Sequence, residues 1–412
     1  MNAADIGPVP PENRTQPAAD LFLIFAGANI VATTLVTGAS LVPAFSAGNA
    51  LALIAAGSVL GAALVAALAP IGPRLGAPSV IAARAALGLR GAQLLALFLY
   101  VTNFAWIALN NVIAASACAQ VVGGAEREGA WAALLGILAT AMVALGPRAV
   151  ARADRIAVPL MLVLCSLLLV QVLRLPREAI LAPAAGGMTA LQGLDVVVGY
   201  QVSWILMFAD YSRYTRSEKG SALAVFGALA ATSFFVMGVG ALGARAAGTP
   251  DPGLILGKLG FGAAGALLLA LATLTTNFVN IYLSALSWKS LVPRTSQATA
   301  VWSIGGVGTI LGLLSRDWLQ RYVDFMLLLG GSLVPVGGIL LARFFLIRAD
   351  LDAARLYDDP RSFSRWALPA LVSWLLGAAT YYALARVGGT LPCLAVSLGT
   401  YLLLAPSQRA AN

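Results

Sequence analysis

The chain has no histidine among its 412 residues and only three cysteines. Without imidazole there is no histidine-ligated metal centre, no histidine proton relay and no Ser–His nucleophile pair. Cys118, Cys165 and Cys393 all lie in apolar runs, where cysteine behaves as a small buried hydrophobe. Charge is scarce too. Asp, Glu, Lys and Arg make up 10% of the chain and hydrophobic residues 60%, whereas a soluble domain carries about 25% charged residues.

What is present instead is a series of apolar runs, each of about 18 residues or more, the length that crosses a bilayer as a helix. They are read near 20–44, 50–72, 91–122, 130–146, 155–174, 190–210, 220–246, 263–288, 298–315, 320–346, 366–387 and 389–405. The expected fold is an all-α polytopic membrane protein of twelve transmembrane helices, with the lipid bilayer as its surroundings. The polar, Pro-rich start, MNAADIGPVPPENRTQPAAD, lacks the cationic region, short apolar core and cleavage site of a removable signal peptide. The net charge of +9 does not point to nucleic acid. Most of the basic residues fall in the two tails and the even-numbered loops. That asymmetry places both termini in the cytoplasm and the chain in the cell membrane.

An offset of about 172 residues carries the helices of the first block onto those of a second. The expected organisation is a tail (1–19), a five-helix repeat (20–174), an external loop (175–189) and a second repeat (190–346). A cytoplasmic loop (347–365), helices 11 and 12 (366–405) and a C-terminal tail (406–412) follow. An odd number of helices per unit makes tandem repeats inverted, and inverted repeats place a site at mid-depth where their first helices break. Helix 1 contains Gly27-Ala28-Asn29-Ile30, and helix 6 contains Gly199-Tyr200-Gln201. Glycine weakens a helix by about 1 kcal/mol relative to alanine, although in membranes it also serves close helix packing.

In the third run, NFAWIALNN, the residues Asn103, Trp106 and Asn110 share one helical face within roughly 60°. A polar–aromatic–polar stripe is costly in hydrocarbon and belongs against protein or a cavity. Two amides flanking an indole suit a planar ligand that stacks and hydrogen-bonds. In helix 8, TLTTNFVNIY places Thr273, Thr275, Thr276, Asn277 and Asn280 close together. Such threonines commonly bond their own backbone, and adjacent hydroxyls also suit a hard-oxygen cage for sodium. No carboxylate lies at mid-depth in helices 1, 3 or 8. In helix 6, Tyr200 and Trp204 are neighbours on one face, Asp195 reads as a surface acid near the outer end, and Asp210 with Arg213 reads as an ion pair or gate element. The stretch GPRLGAPSVIAARAALGLRG reads as a cytoplasmic loop with a short amphipathic segment.

The motifs GAPSVIAARAALGLRG, NFAWIALNN, VVGYQVSWILMFADYSRY and TTNFVNIY together resemble the nucleobase–cation symporter family one, and the helix 6 wording is closest to its cytosine and hydroxymethylpyrimidine branch. The resemblance implies a leucine-transporter-type core of two inverted five-helix repeats plus two extra helices. It also implies alternating access driven by a sodium or proton gradient. By position, Trp106 stacks on the heterocycle, Asn103 and Asn110 supply amides, and Tyr200 and Gln201 form the helix 6 pair. Thr275 and Thr276 with carbonyls near Gly27 and Ile30 form the sodium cage. The helix 8 amide is either Asn277 or Asn280. The expected function is symport of a nucleobase or related small planar heterocycle with no cofactor, and the chain is compatible with a monomer without fixing the oligomeric state. An amino-acid symporter of the same architecture is the alternative. No nucleophile–base pair or carboxylate dyad at depth supports an enzyme.

Overall fold

The computed structural model describes residues 7–122, 124–145, 147–181, 183–292, 294–314, 317–347, 355–358 and 366–405. The C-terminal tail 406–412 and most of the 347–365 loop lie outside the described residues. The helices are α1 (Ala18–Asn29), α2 (Ala32–Ala39), α3 (Ala47–Leu68), α4 (Ile71–Leu75), α5 (Ser79–Val122) and α6 (Glu128–Ala144). Next come α7 (Pro147–Leu173), α8 (Arg177–Leu181), α9 (Ala190–Val202), α10 (Glu218–Ala247), α11 (Pro252–Lys258) and α12 (Gly262–Leu291). The last are α13 (Gln297–Leu314), α14 (Tyr322–Leu341), α15 (Arg355–Asp358), α16 (Leu368–Ala383) and α17 (Thr390–Leu404). Among the described residues no β-sheet forms.

Among the described residues, eight helices are long and apolar enough to cross a membrane, nine if α1 and α2 count as one bent span, and α6, α16 and α17 are shorter apolar helices. The burial pattern suits lipid. Leu403 is 87% exposed and Leu267 71%, while Asn29, Asn110 and Gln201 are each 0% exposed. Greasy side chains face out and amides face in, the arrangement that hydrocarbon selects.

Helix 1 is broken. α1 and α2 meet at 61°, with Ile30 and Val31 between them outside helical conformation. The break sits at the downstream edge of the expected stretch, and Gly27 itself is helical. Helix 6 remains α-helical through Val202 and then tightens into a 3-10 segment, Ser203–Met207. Ser203 donates its hydroxyl to the Tyr200 carbonyl at 2.7 Å at that transition. The expected break at Gly199 is therefore displaced. A methyl on Gly199 would lie 2.2 Å from the Met326 carbonyl oxygen, so this glycine lets α9 and α14 approach.

Two glycines lock α2 to α10. A Cβ on Gly38 would fall 1.8 Å from the Met237 oxygen, and one on Gly240 would fall 2.0 Å from the Leu35 oxygen. The stretch before helix 3 is more ordered than a loop. α5 already begins at Ser79 and bends at Gly88, whose φ of 75° suits glycine.

Asp195 corrects a further expectation. It is 1% exposed, and its carboxylate accepts the Gly389 N–H at 2.6 Å and the Thr390 N–H at 3.2 Å. It thereby caps the start of α17, where orphan N–H groups and the helix dipole favour an anion. At the other end of the bundle, Asp210 accepts the Ser79 N–H at 3.4 Å, while Arg213 donates to the Gly7 carbonyl and the Tyr214 hydroxyl.

Candidate functional site

Trp106 stands where three helices meet. Its ring makes T-shaped contacts with Tyr200 of α9, centroids 6.0 Å apart at 88°, and with Phe325 of α14, at 5.0 Å and 65°. Tyr200 is fastened from behind, because its hydroxyl hydrogen-bonds Thr34 of α2, and Thr34 also bonds the Asn29 carbonyl at the helix 1 break. The indole is only partly buried, whereas Tyr200 is 4% exposed. A partly exposed indole fixed by two such contacts is a preorganised surface for another flat group.

One turn along α5, Asn110 is 0% exposed, and neither its amide oxygen nor its nitrogen has a hydrogen-bond partner. A dry, unpaired amide group costs about 1–3 kcal/mol for each donor or acceptor left unmade. Such an orphan calls for an explanation. One turn the other way, Asn103 reaches the Asn280 carbonyl at 3.5 Å. Asn277 donates to the Ile107 carbonyl at 3.3 Å and to Asn111 Oδ1 at 2.8 Å. These pairings set α5 and α12 side by side in opposite directions, with Asn277 serving as a pin between them.

The threonines of α12 use their protons on their own helix. Thr275 and Thr276 both donate to the Ala272 carbonyl, at 3.0 and 2.9 Å, and Thr273 donates to that of Leu269. Their oxygens keep lone pairs for a cation. On α1, the Ile30 N–H is shared between the Ala26 and Gly27 carbonyls, at 3.0 and 3.3 Å. α12 also touches α2, the segment that follows the break.

Gln201 is tied to α10. Its nitrogen donates to the Leu229 carbonyl at 3.3 Å and to Ser233 Oγ at 2.8 Å. Asn29 donates to the same Ser233 at 2.7 Å and to Thr232 at 2.8 Å. One serine thus joins the end of α1 to the end of α9. Trp204, one turn beyond Tyr200, packs on Phe25 at 5.3 Å.

A family model described as permease for cytosine/purines, uracil, thiamine, allantoin matches residues 8–402. The chain belongs to this permease family. The permease is 26% identical to the cytosine permease of Escherichia coli strain K12, over 97% of this chain and 93% of that one. Its backbone matches the inward-facing conformation of Mhp1 with a TM-score of 0.83, at 19% identity over 98% of this chain and 92% of that one. It also matches Mhp1 in a closed conformation with bromovinylhydantoin bound, described as a nucleobase-cation-symport-1 family transporter. That match has a TM-score of 0.78 at 18% identity, over 98% and 94% of the two chains. The permease is a multi-pass membrane transporter of the nucleobase class and not an enzyme.

Four residues around this site were absent from the sequence reading. Asn111 follows Asn110 but points about 100° away around the helix, off the stripe, and so escapes a search for one face. Phe325, Thr34 and Ser233 carry no motif of their own. Only the packing of α14, α2 and α10 brings them in.

Proposed function

We propose that this permease is a cation-coupled symporter that imports a small planar heterocycle such as cytosine or hydroxymethylpyrimidine by alternating access. The observation that carries this reading is the pairing of an indole fixed between two other rings, Trp106, with a buried amide, Asn110, that has no partner of its own. A nucleobase edge offers an adjacent donor and acceptor, which is what a free carboxamide complements, and its ring face suits the indole.

In this reading the fold comprises twelve spans in two inverted five-helix repeats and two added helices, with both termini cytoplasmic. Asn103, Tyr200 and Gln201 shape the pocket, with Asn280 or Asn277 contributing from α12. The coupling ion is sodium, held by the Thr275 and Thr276 hydroxyls and the carbonyls of Gly27 and Ile30. The hard oxygens of this donor set fit a small cation. Sodium binding between helices 1 and 8 orders the pocket, the heterocycle stacks on Trp106, and motion of one repeat against the other opens the site inward.

The test is uptake into proteoliposomes of cytosine, uracil, purines, hydantoins and hydroxymethylpyrimidine, with and without a sodium gradient. Sodium-dependent uptake of one of them is expected, lost in Trp106→Ala with folded protein retained. Undiminished uptake by Trp106→Ala would remove the stacking role. Uptake driven equally well by a proton gradient alone would replace sodium with protons.

A further inference from the structure

α2 carries three buried threonines, Thr33, Thr34 and Thr37. Thr34 belongs to the Tyr200 contact, and Thr37 lies one turn further on. The Thr37 hydroxyl sits 2.6 Å from the hydroxyl of Tyr322, the first residue of α14. The Thr37 and Tyr322 hydroxyls both also reach the Thr33 carbonyl, at 2.9 and 3.0 Å. Three oxygens thus close a ring between α2 and α14, with Tyr322 only 1% exposed.

The two sides of this ring differ. On one side, a turn back along α2 and a turn onward along α14, lie Thr34 bonded to Tyr200 and Phe325 against Trp106. On the other side is a cavity of about 160 Å³, lined by Val36 and Ser40 of α2, Val323 of α14 and the Leu319–Gln320 turn. This is the end of the bundle away from the N-terminal segment. That segment pairs with the opposite end, where Arg14 donates to the Pro73 carbonyl, Gln16 bridges to Thr215, and Arg74 reaches Glu218 and the Phe344 carbonyl near the end of helix 10.

We propose that Tyr322 is a positioning residue of the transport cycle: its bonds to Thr37 and Thr33 latch α14 onto α2 and separate the cavity from the Trp106 site. Release of the latch admits substrate from that face. The proposal rests on the alternating-access reading above. Tyrosine suits the task, because its ring fills the space between the helices while a single hydroxyl makes the joint. Unlatching therefore costs about one or two neutral hydrogen bonds and leaves the packing intact.

The test places a reporter cysteine at Phe325, one turn inside the latch, in a Cys118→Ser background that removes the half-exposed native thiol. A membrane-impermeant thiol reagent is applied to oriented vesicles from the face away from the termini. Adding Tyr322→Phe or Thr37→Val is expected to speed labelling about fivefold to thirtyfold, the range set by one or two buried hydrogen bonds. Thr37→Ser, which keeps the hydroxyl, labels at the parent rate. With Phe325 restored, Tyr322→Phe lowers both the half-saturating substrate concentration and the maximal uptake rate, a split that loss of folded protein does not produce. Unchanged labelling in both Tyr322→Phe and Thr37→Val would overturn the proposal. Wild-type heterocycle uptake is measured in the same vesicles. Its absence would sink the functional reading alone, while the labelling still judges the latch.

Discussion

Replacing Asp195 with alanine should loosen the start of α17 without disturbing the Trp106 pocket. The carboxylate is buried, and it accepts two backbone N–H groups, from Gly389 and Thr390, that are themselves buried. Alanine leaves both donors dry and removes the negative charge that the helix start favours. Loss of a capping side chain costs about 1 kcal/mol, and each orphaned buried donor adds to it, giving roughly 2–4 kcal/mol for the site. Local opening would then become about thirtyfold to about a thousandfold more frequent. Amide hydrogen exchange of the segment around residues 387–392, followed by mass spectrometry, reads this directly. Asp195→Asn keeps an acceptor oxygen but loses the charge, so its exchange should fall between wild type and Asp195→Ala. Exchange in Asp195→Ala indistinguishable from wild type, with α17 still helical, would refute the capping argument. Acceleration spread evenly over all helices would show a global effect and would equally refute it.

Two further outcomes follow from packing and from the amide pin. Gly199→Ala forces a methyl to within 2.2 Å of the Met326 carbonyl oxygen, so α9 and α14 must part. About 1–3 kcal/mol of destabilisation is expected, seen as a lowered melting temperature in detergent, while Gly48→Ala in α3, which meets nothing within 4 Å, should hold that temperature or raise it slightly. Asn277→Ala leaves the Asn111 amide oxygen buried and without its donor and frees α12 from α5. A loss of about 1–3 kcal/mol in thermal stability is expected, and Asn111→Ala in the same background should add less than its separate cost, as a double-mutant cycle would measure.

Much of this was legible in the chain itself, for physical reasons. Hydrocarbon demands long apolar helices and punishes buried amides, so the spans and the Asn103–Trp106–Asn110 stripe stand out against their surroundings. Fine placement was less legible. The glycines of helices 1 and 6 marked the right neighbourhoods, but a glycine lowers helix propensity without saying whether the chain will bend or pack there. At Gly199 packing against α14 won, and the change of geometry fell to Ser203, whose hydroxyl back-bonds to Tyr200. Asp195 looked like a surface acid because an isolated carboxylate near a span end usually is one. Its partners come from residues 389 and 390, nearly two hundred positions away, and no local pattern reveals them. Phe325 was invisible for the same reason, since a phenylalanine in an apolar helix has no contrast with its neighbours.

The reciprocal glycine contact between α2 and α10 has a mechanical consequence. Two backbones that touch at Gly38 and Gly240 cannot rotate past one another, so they act as one beam. The joint in helix 1 is Ile30 and Val31, and both halves are fastened to α10, α2 by this backbone contact and the end of α1 by the Asn29 bonds to Thr232 and Ser233. The two halves of one span thus hold the same beam by different joints, a rigid backbone contact at the end away from the termini and side-chain hydrogen bonds beside the break. Removing that side-chain joint with Asn29→Ala would leave α2 with α10 and free α1 about Ile30 and Val31, so distance probes on the two helices would then report different movements.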